Sequence, residues 1–449
     1  MSMKKKLLAV AAVSALTVAT AVPALALDNE FHGLFRVRGI VDNFNTGGLG
    51  PFEPSNGPRT NSYVEQRARL MYIAKANDDL KLVTHFEIDS QWGKSSYLQG
   101  RGNDGGAIGA DATNLETKNV YLDFNIPSTP VNVKLGIQGF DDGYKGVIFN
   151  GDAAGLVAKA KMSYGSLGGA YFRFDDAVSG SNAVAAGAPA ANPGYQTRDM
   201  LNLNAKINVT KDVKVGVDYY LTYSDVMRQT QNRANIHMAG LNAEAKVGPA
   251  TIDGFVLYQT GKLGATIGNA SQKLSAFAGN VGAKVKAGPG TLRANALYIS
   301  GNRDSNSSTR NDFQTVMEKN TSTAGHAFYA GEMQIMLRNK YNMNSDKAVV
   351  FNLNNGGMGL LGGFVGYDLA IDKFFMNSNV GAAAIARSSE PGSDYIGTEI
   401  NTEIGYKMFD NLTTSVQAGY MLLGDAFKPA DGVWAENPYT AKLQVNYTF

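Results

Sequence analysis

The chain has 449 residues, with 41 Lys and Arg against 39 Asp and Glu and a formal net charge of +2, a balance that offers no basic face to nucleic acid. It has no cysteine, which excludes disulfides, thiolate zinc sites, iron–sulfur clusters and covalent haem attachment. Glycine is abundant (51), Tyr and Phe number 21 each and charged residues are only 18%, a composition that suits curved strands bordered by aromatic rings.

Residues 1–26 read as a secretory signal peptide. Lys4, Lys5 and Lys6 precede the apolar run Leu7 to Val22, and Ala24-Leu25-Ala26 is an A-x-A cleavage site. Its removal leaves a formal net charge of about −1. No later stretch approaches the length of an apolar helical span.

From Leu27 onward the sequence is read as one domain of alternating segments. Phe31 to Asp42 sets Phe31, Phe35, Val37 and Val41 against His32, Arg36 and Arg38. Val64 to Ala76 sets Val64, Ala68, Leu70 and Tyr72 against Glu65, Arg67 and Arg69. After the turn Asn77-Asp78-Asp79, Leu80 to Trp92 sets Leu82, Phe86 and Ile88 against Lys81, His85, Glu87 and Asp89. Successive side chains of a strand point to opposite faces, so each segment is apolar on one side and wet on the other. This turn predicts a hairpin with Arg69 opposite Glu87 and Arg67 opposite Asp89.

The same pattern runs through Val120 to Ile126, Val131 to Phe140, Leu156 to Tyr164, Leu167 to Phe174, Met200 to Val209 and Val213 to Tyr223. It continues through Ile236 to Val247, Thr251 to Thr260, Phe277 to Ala287, Leu292 to Ile299, Leu360 to Ala370, Phe374 to Ala386, Ile396 to Lys407 and Leu412 to Leu422. With the closing segment that makes eighteen strands (16–20), joined by short turns at one end and longer connections at the other. Thr251 to Thr260 is ambiguous, because Phe255 and Leu257 share parity with Asp253. Elsewhere Leu82, Phe86, Val217 and Val416 are assigned outward, and Gln138, Asn204 and Gln417 inward to water. The connection 301–359 is far longer than the rest and is expected to fold inward as a constriction or plug, the alternatives being a surface loop over the mouth and an extra strand pair, with Ala330 to Lys340 as a short helix or hairpin arm.

Tyr439 to Phe449 closes the chain with Tyr439, Ala441, Leu443, Val445, Tyr447 and Phe449 alternating with polar residues. This strand resembles the C-terminal assembly signal of bacterial outer-membrane β-barrels, in which a terminal aromatic and alternating apolar positions are read by the barrel-assembly machinery. Tyr447 and Phe449 are the residues that match. The resemblance implies an all-β fold: a transmembrane antiparallel up-and-down barrel in the cell outer membrane, with short periplasmic turns and long extracellular loops. The opening FHGLFRVRG, the segment VYLDFNIP and the closing QVNYTF are similar to porin-like channels of delta-proteobacteria. That likeness implies a water-filled channel for passive diffusion of small hydrophilic solutes and ions, oxyanions among them, with outer-membrane lipid as its surroundings. Homotrimers are common among porins.

No chemistry of catalysis is visible. His32, His85, His237 and His326 have no ligand spacing, and G-x-S-x-G, P-loop and H-E-x-x-H motifs are absent. The expectation is therefore a non-enzyme with no cofactor, no metal and no nucleic-acid partner. The candidate pore-lining residues are Arg36, Arg38, Glu65, Arg67, Arg69, His85, Glu87, Asp89, Asp123, Lys159 and Lys161, all inward by parity. Rings of Arg and Lys favour anions and rings of Asp and Glu favour cations. The competing reading is a structural sheath or docking partner for an electron-carrying cytochrome, which needs a wide, unobstructed lumen.

Overall fold

The computed structural model describes residues 28–44, 60–94, 106, 115–176, 197–224, 234–264, 271–302, 308–316, 327–329, 331–339, 347–387, 394–428 and 436–449. The signal segment 1–26 lies outside them.

The strands in chain order are β1 (Asp28–Asp42), β2 (Asn61–Asn77), β3 (Leu80–Gln91), β4 (Glu116–Asn125), β5 (Val131–Asp141), β6 (Asn150–Met162), β7 (Gly165–Asp175), β8 (Arg198–Asn208) and β9 (Val213–Ser224). Then follow β10 (Ala234–Val247), β11 (Ala250–Leu263), β12 (Gln272–Ala287), β13 (Gly290–Ile299), the two-residue β14 (Thr309–Arg310), β15 (Leu360–Ile371), β16 (Phe374–Ala384), β17 (Tyr395–Phe409), β18 (Leu412–Leu423) and β19 (Tyr439–Thr448). Apart from β14, which adds a short parallel pairing to β12, each strand pairs antiparallel with the next, β13 passing to β15. The last strand returns to the first, with Phe35 opposite Tyr447 and Val41 opposite Ala441. The result is a closed 18-strand antiparallel barrel. All eighteen segments read from the sequence appear, with ends displaced by a few residues.

The seam extends to the last residue. Phe449 donates its N–H to Gly33 O at 3.1 Å, and Gly33 donates back to Phe449 O at 2.8 Å. The Phe449 ring lies over Gly33, where a Cβ would stand 2.6 Å from the ring tip and 2.4 Å from Arg69 O. A residue with no side chain is required at that approach.

The alternation explains the wall. Phe31, Leu82, Leu135, Val217, Val256, Val281, Val365, Ile400, Val416 and Leu443 are exposed on the outer face. The inner face is not uniformly wet. Towards the long connections it is apolar, with Phe172, Met200, Tyr220, Met238, Leu257, Leu274, Leu297, Leu360, Phe364 and Met421 buried. Towards the short turns it is charged. The ambiguous segment of β11 is resolved by this division: Asp253, Phe255 and Leu257 all point inward, while Val256 and Tyr258 are exposed.

Two stretches of irregular backbone cover the apolar half from inside. The first is 142–149. The Asp142 carboxylate accepts N–H bonds from Tyr144, Gly146, Ile148 and Phe149 at 2.7, 2.8, 2.6 and 2.9 Å. Burial pushes the Asp142 carboxyl up, and those four bonds pull it back. Lys145 and Gly146 take positive φ (59° and 81°), which turns the hook back on itself. The second stretch is the described part of 301–359, where Phe313, Tyr329, Met333, Ile335, Met336, Leu337, Val349 and Val350 are buried. Its residues 331–339 form neither helix nor hairpin arm; their one bridge is Leu337 with Val350.

Inside a barrel such backbone needs polar partners on the wall. Gln259 donates to Gln314 O at 2.7 Å and accepts from Gln314 N–H at 2.8 Å. Glu399 accepts from the N–H groups of Gln334, Ile335 and Met336 at 2.7, 3.1 and 2.7 Å. Gln138 and Gln417, expected to face water, are instead 2% and 3% exposed; Gln138 donates to Lys134 O and Gly155 O at 3.2 Å, and Gln417 to Glu403 at 3.1 Å.

The outward assignment has a direct test. Val217→Arg places a charge on the lipid face at mid-strand and should cost about 2–4 kcal/mol. Asn204→Arg, on the inner face of β8, should fold much closer to wild type. Urea unfolding in lipid vesicles, read by gel migration, should give the lower midpoint for Val217→Arg; equal midpoints or the opposite order would overturn the assignment of faces.

Candidate channel lumen

The inward charges fall into two groups that differ in how they are paired. The first lies on β1, β2 and β3. Arg38 and Glu65 form a buried pair at 2.5 Å, with side chains 1% and 5% exposed. Arg67 binds Asp89 through two bonds, 2.7 and 2.5 Å long, and reaches Glu87 at 3.3 Å. Arg69 bonds Glu87 as well. The register places Arg67 opposite Asp89 and Arg69 opposite Glu87, as the turn at Asn77-Asp78-Asp79 predicted. Arg36 stands opposite Arg67. Asp42 accepts from Asn61 at 2.8 Å, Tyr63 at 3.1 Å and Lys347 at 2.9 Å, tying the inner segment to β1. His85 approaches Asn119 at 3.3 Å, and Asp123 accepts from Asn132 at 2.7 Å and faces Lys81 at 3.4 Å. Cations and carboxylates alternate here, so little charge is left over.

The second group surrounds a cavity of about 890 Å³ at the short-turn half of β6 to β13. Its walls carry seven basic side chains, Lys145, Lys159, Lys161, Lys206, Lys214, Lys284 and Arg293, against three acidic ones, Glu244, Asp253 and Glu332. Lys145 pairs with Asp253, Lys214 with Glu244 at 3.1 Å, and Arg293 lies 3.8 Å from Glu332 and 2.5 Å from Asp368. Lys159, Lys161, Lys206 and Lys284 have no ion pair among the described residues. Lys161 is opposite Ser166, Ser166 opposite Lys206 and Lys206 opposite Gly216, so small residues separate the cations and leave the volume open. The roof is Phe328, Tyr329 and Glu332 from the long segment with Gly143 and Lys145 from the hook. Phe328 N–H donates to Gly146 O at 2.9 Å, which joins the two inner pieces.

The structure thus divides the residues picked from the sequence. Arg38, Glu65, Arg67, Arg69, Glu87 and Asp89 come together as a paired network with Arg36 opposite Arg67, while Lys159 and Lys161 belong to the basic cavity. Arg36 and Arg38, inward by parity like Lys159 and Lys161, do not join them around one open volume, and Arg38 is buried against Glu65. Lys206, Lys214, Lys284 and Arg293 were not picked, although their inward parity near the short turns was available as a signal. Among the described residues no three His, Asp or Glu side chains are grouped to hold a metal.

No family model and no curated protein matches the chain. Solved structures do. The outer membrane protein opdK from Pseudomonas aeruginosa aligns over 94% of this chain and 98% of its own, with TM-score 0.54 and 12% identity. OccAB1 of Acinetobacter baumannii aligns over 94% and 96%, with TM-score 0.55 and 12% identity. Pseudomonas aeruginosa OccK2 (OpdF), solved in complex with glucuronate, aligns over 94% and 98%, with TM-score 0.52 and 11% identity. The chain shares the fold of these outer-membrane proteins over nearly its whole length.

Glu399 offers a test of how the inner segment is held. In Glu399→Gln one carboxylate oxygen becomes an NH₂ group facing backbone donors. The expected cost is roughly 1–3 kcal/mol, the penalty of buried groups left unmatched. Thermal unfolding should fall and single-channel current noise should rise. Wild-type values for both would show that the segment is anchored elsewhere.

Proposed function

We propose that this chain is an outer-membrane porin whose water-filled path passes small hydrophilic solutes and ions by diffusion, with anions preferred. The observation that carries the reading is the surplus of basic side chains around the cavity between the inner segments and the short turns. Fixed cations on a low-dielectric wall focus the field into the water between them and raise the local concentration of anions. The glucuronate bound by OccK2 is a hydroxylated organic anion, the same class of solute that such a cavity suits. Oxyanions fall within the same preference. In this reading the described residues of 313–353 and the hook 142–149 narrow the lumen, and the pore-lining set read from the sequence divides between scaffold and path.

The sheath reading is not favoured. A guest protein needs an open bore, and the described interior is occupied by the chain's own segments. The role is transport rather than catalysis. Export through the signal 1–26 and insertion by the barrel-assembly machinery reading Tyr447 and Phe449 belong to the same proposal. The kinship to delta-proteobacterial channels rests on the three sequence segments that suggested it.

Selectivity is tested by Lys206→Gln combined with Lys284→Gln. In planar bilayers under a KCl gradient the reversal potential should move toward cation preference, with the anion-to-cation permeability ratio falling roughly twofold or more. An unmoved reversal potential would sink the anion preference while leaving conduction itself intact. Assembly is tested by deleting Phe449. The amount of barrel in the outer membrane should drop, while the molecules that do insert conduct normally. Undiminished outer-membrane levels would remove Phe449 from the assembly signal.

A further inference from the structure

The outer face of β11 and β12 carries two lysines that nothing else in the barrel accounts for. Lys262 and Lys273 stand directly opposite each other in the antiparallel register. Both are exposed and share the outward parity of Tyr258 and Phe277, whose ring centroids are 4.8 Å apart just below them. Further down the same face are Ile252, Val256 and Val281. The rise from Ile252 to Lys262 along a tilted strand is about 25 Å, the height of the apolar band of such barrels. The two ammonium groups therefore stand at the upper border of the lipid-facing wall, beside an aromatic pair of the kind that marks that border.

Like charges directly opposite each other on a sheet are destabilising. Elsewhere among the described strands at least one member of such a facing pair is held by an opposite charge, as Arg293 opposite Lys284 is by Asp368. Lys75 and Lys81 also face each other, but Lys75 pairs with Glu30 and Lys81 with Asp123. Arg36 and Arg67 face each other, and Arg67 is held by Asp89 and Glu87. Among the described residues neither Lys262 nor Lys273 has a carboxylate within ion-pair distance. The connection 264–271 that joins their strands contains no acidic residue. The cross-strand neighbour of Lys262 on the other side is Asn235, a neutral hydrogen-bonding side chain.

We propose that Lys262 and Lys273, with Asn235 beside them, bind a phosphate group of an outer-leaflet lipid headgroup. Two ammonium groups supply the charge and up to six N–H donors, which match the several acceptor oxygens of a phosphate. The wall below supplies the rest of the recognition, since acyl chains of the same lipid lie along Val256, Val281 and the Tyr258–Phe277 pair. A free phosphate ion would gain nothing from that wall, which is why the site is assigned to a lipid. The assignment rests on the outer-membrane reading, in which the long connections face outward.

The test uses the full barrel purified in detergent. Its fold and channel activity are first established by heat-modifiable gel migration and by bilayer conductance, so that a failure of the porin reading is seen separately. Lipid A, its dephosphorylated form and inorganic phosphate are then added to wild type, Lys262→Gln/Lys273→Gln and Lys262→Glu. Native mass spectrometry should show lipid A retained by wild type and reduced roughly fivefold or more in the double variant. Lipid A should raise the wild-type unfolding temperature but not that of either variant. Lys262→Glu faces Lys273 with an opposite charge, so without lipid it should melt no lower than wild type, which separates loss of the site from loss of stability. Equal retention of dephosphorylated lipid A, or full competition by inorganic phosphate at matched concentration, would overturn the proposal. So would unchanged lipid A retention in the double variant.

Discussion

Every other feature of this protein depends on the hydrogen-bonded seam between β1 and β19. An open sheet of this size would present two edges of unpaired N–H and C=O groups, and in hydrocarbon each such group costs several kcal/mol. Closing the sheet removes both edges at once. The seam is built to its last residue, since the backbone of Phe449 pairs with Gly33 and its ring occupies the space that a side chain at Gly33 would need. Closure also sets the bore. An 18-strand wall is too wide for its own side chains to fill, so the interior must hold water or further chain.

This barrel does both, at different heights. In the half nearer the long connections the inner face is apolar and is covered by buried side chains of 142–149 and of the described residues of 313–353. In the other half the inner face is charged and surrounds open volume. The inner segments are held by buried carboxylates. Asp142 gathers the N–H groups of its own hook, and Glu399 gathers those of residues 334–336. Each carboxylate does for irregular backbone what a neighbouring strand does for a stave. The inner segments are therefore held by their backbone as well as by apolar packing, which fixes their height in the bore.

The parts of this arrangement that repeat every two residues were legible in the sequence. Strand positions and the pairing of Arg67 with Asp89 and Arg69 with Glu87 follow from parity and turn length, while closure into a barrel was what the resemblance of the last strand implied. Parity tells which face a residue takes, but not what lies across the bore from it. That is why Phe255 and Leu257 looked ambiguous: both are inward, under inner segments whose placement no local pattern reveals. Gln138 and Gln417 were read as wet because parity likewise does not show which polar neighbours they bond. The basic cavity was half seen: Lys159 and Lys161 were picked by their inward parity, which says nothing of what stands around the same volume. Their real companions, Lys206, Lys284 and Arg293, join them only around the curve of the wall.

The distribution of paired and unpaired charge then separates scaffold from path. Arg38 and Glu65 are almost fully buried, and a charge in such surroundings persists only beside its opposite. Arg67, Arg69, Glu87 and Asp89 follow the same rule with slightly more exposure. Lys159, Lys161, Lys206 and Lys284 escape it because they border open volume, where water solvates an ammonium group without a carboxylate. On the porin reading proposed above, an ion meets a neutralised wall where the chain is packed and a cationic one where it is not. Charge that the fold leaves uncompensated borders the open volume, and in this barrel that volume lies along β6 to β13 rather than along the arginine-rich opening strands.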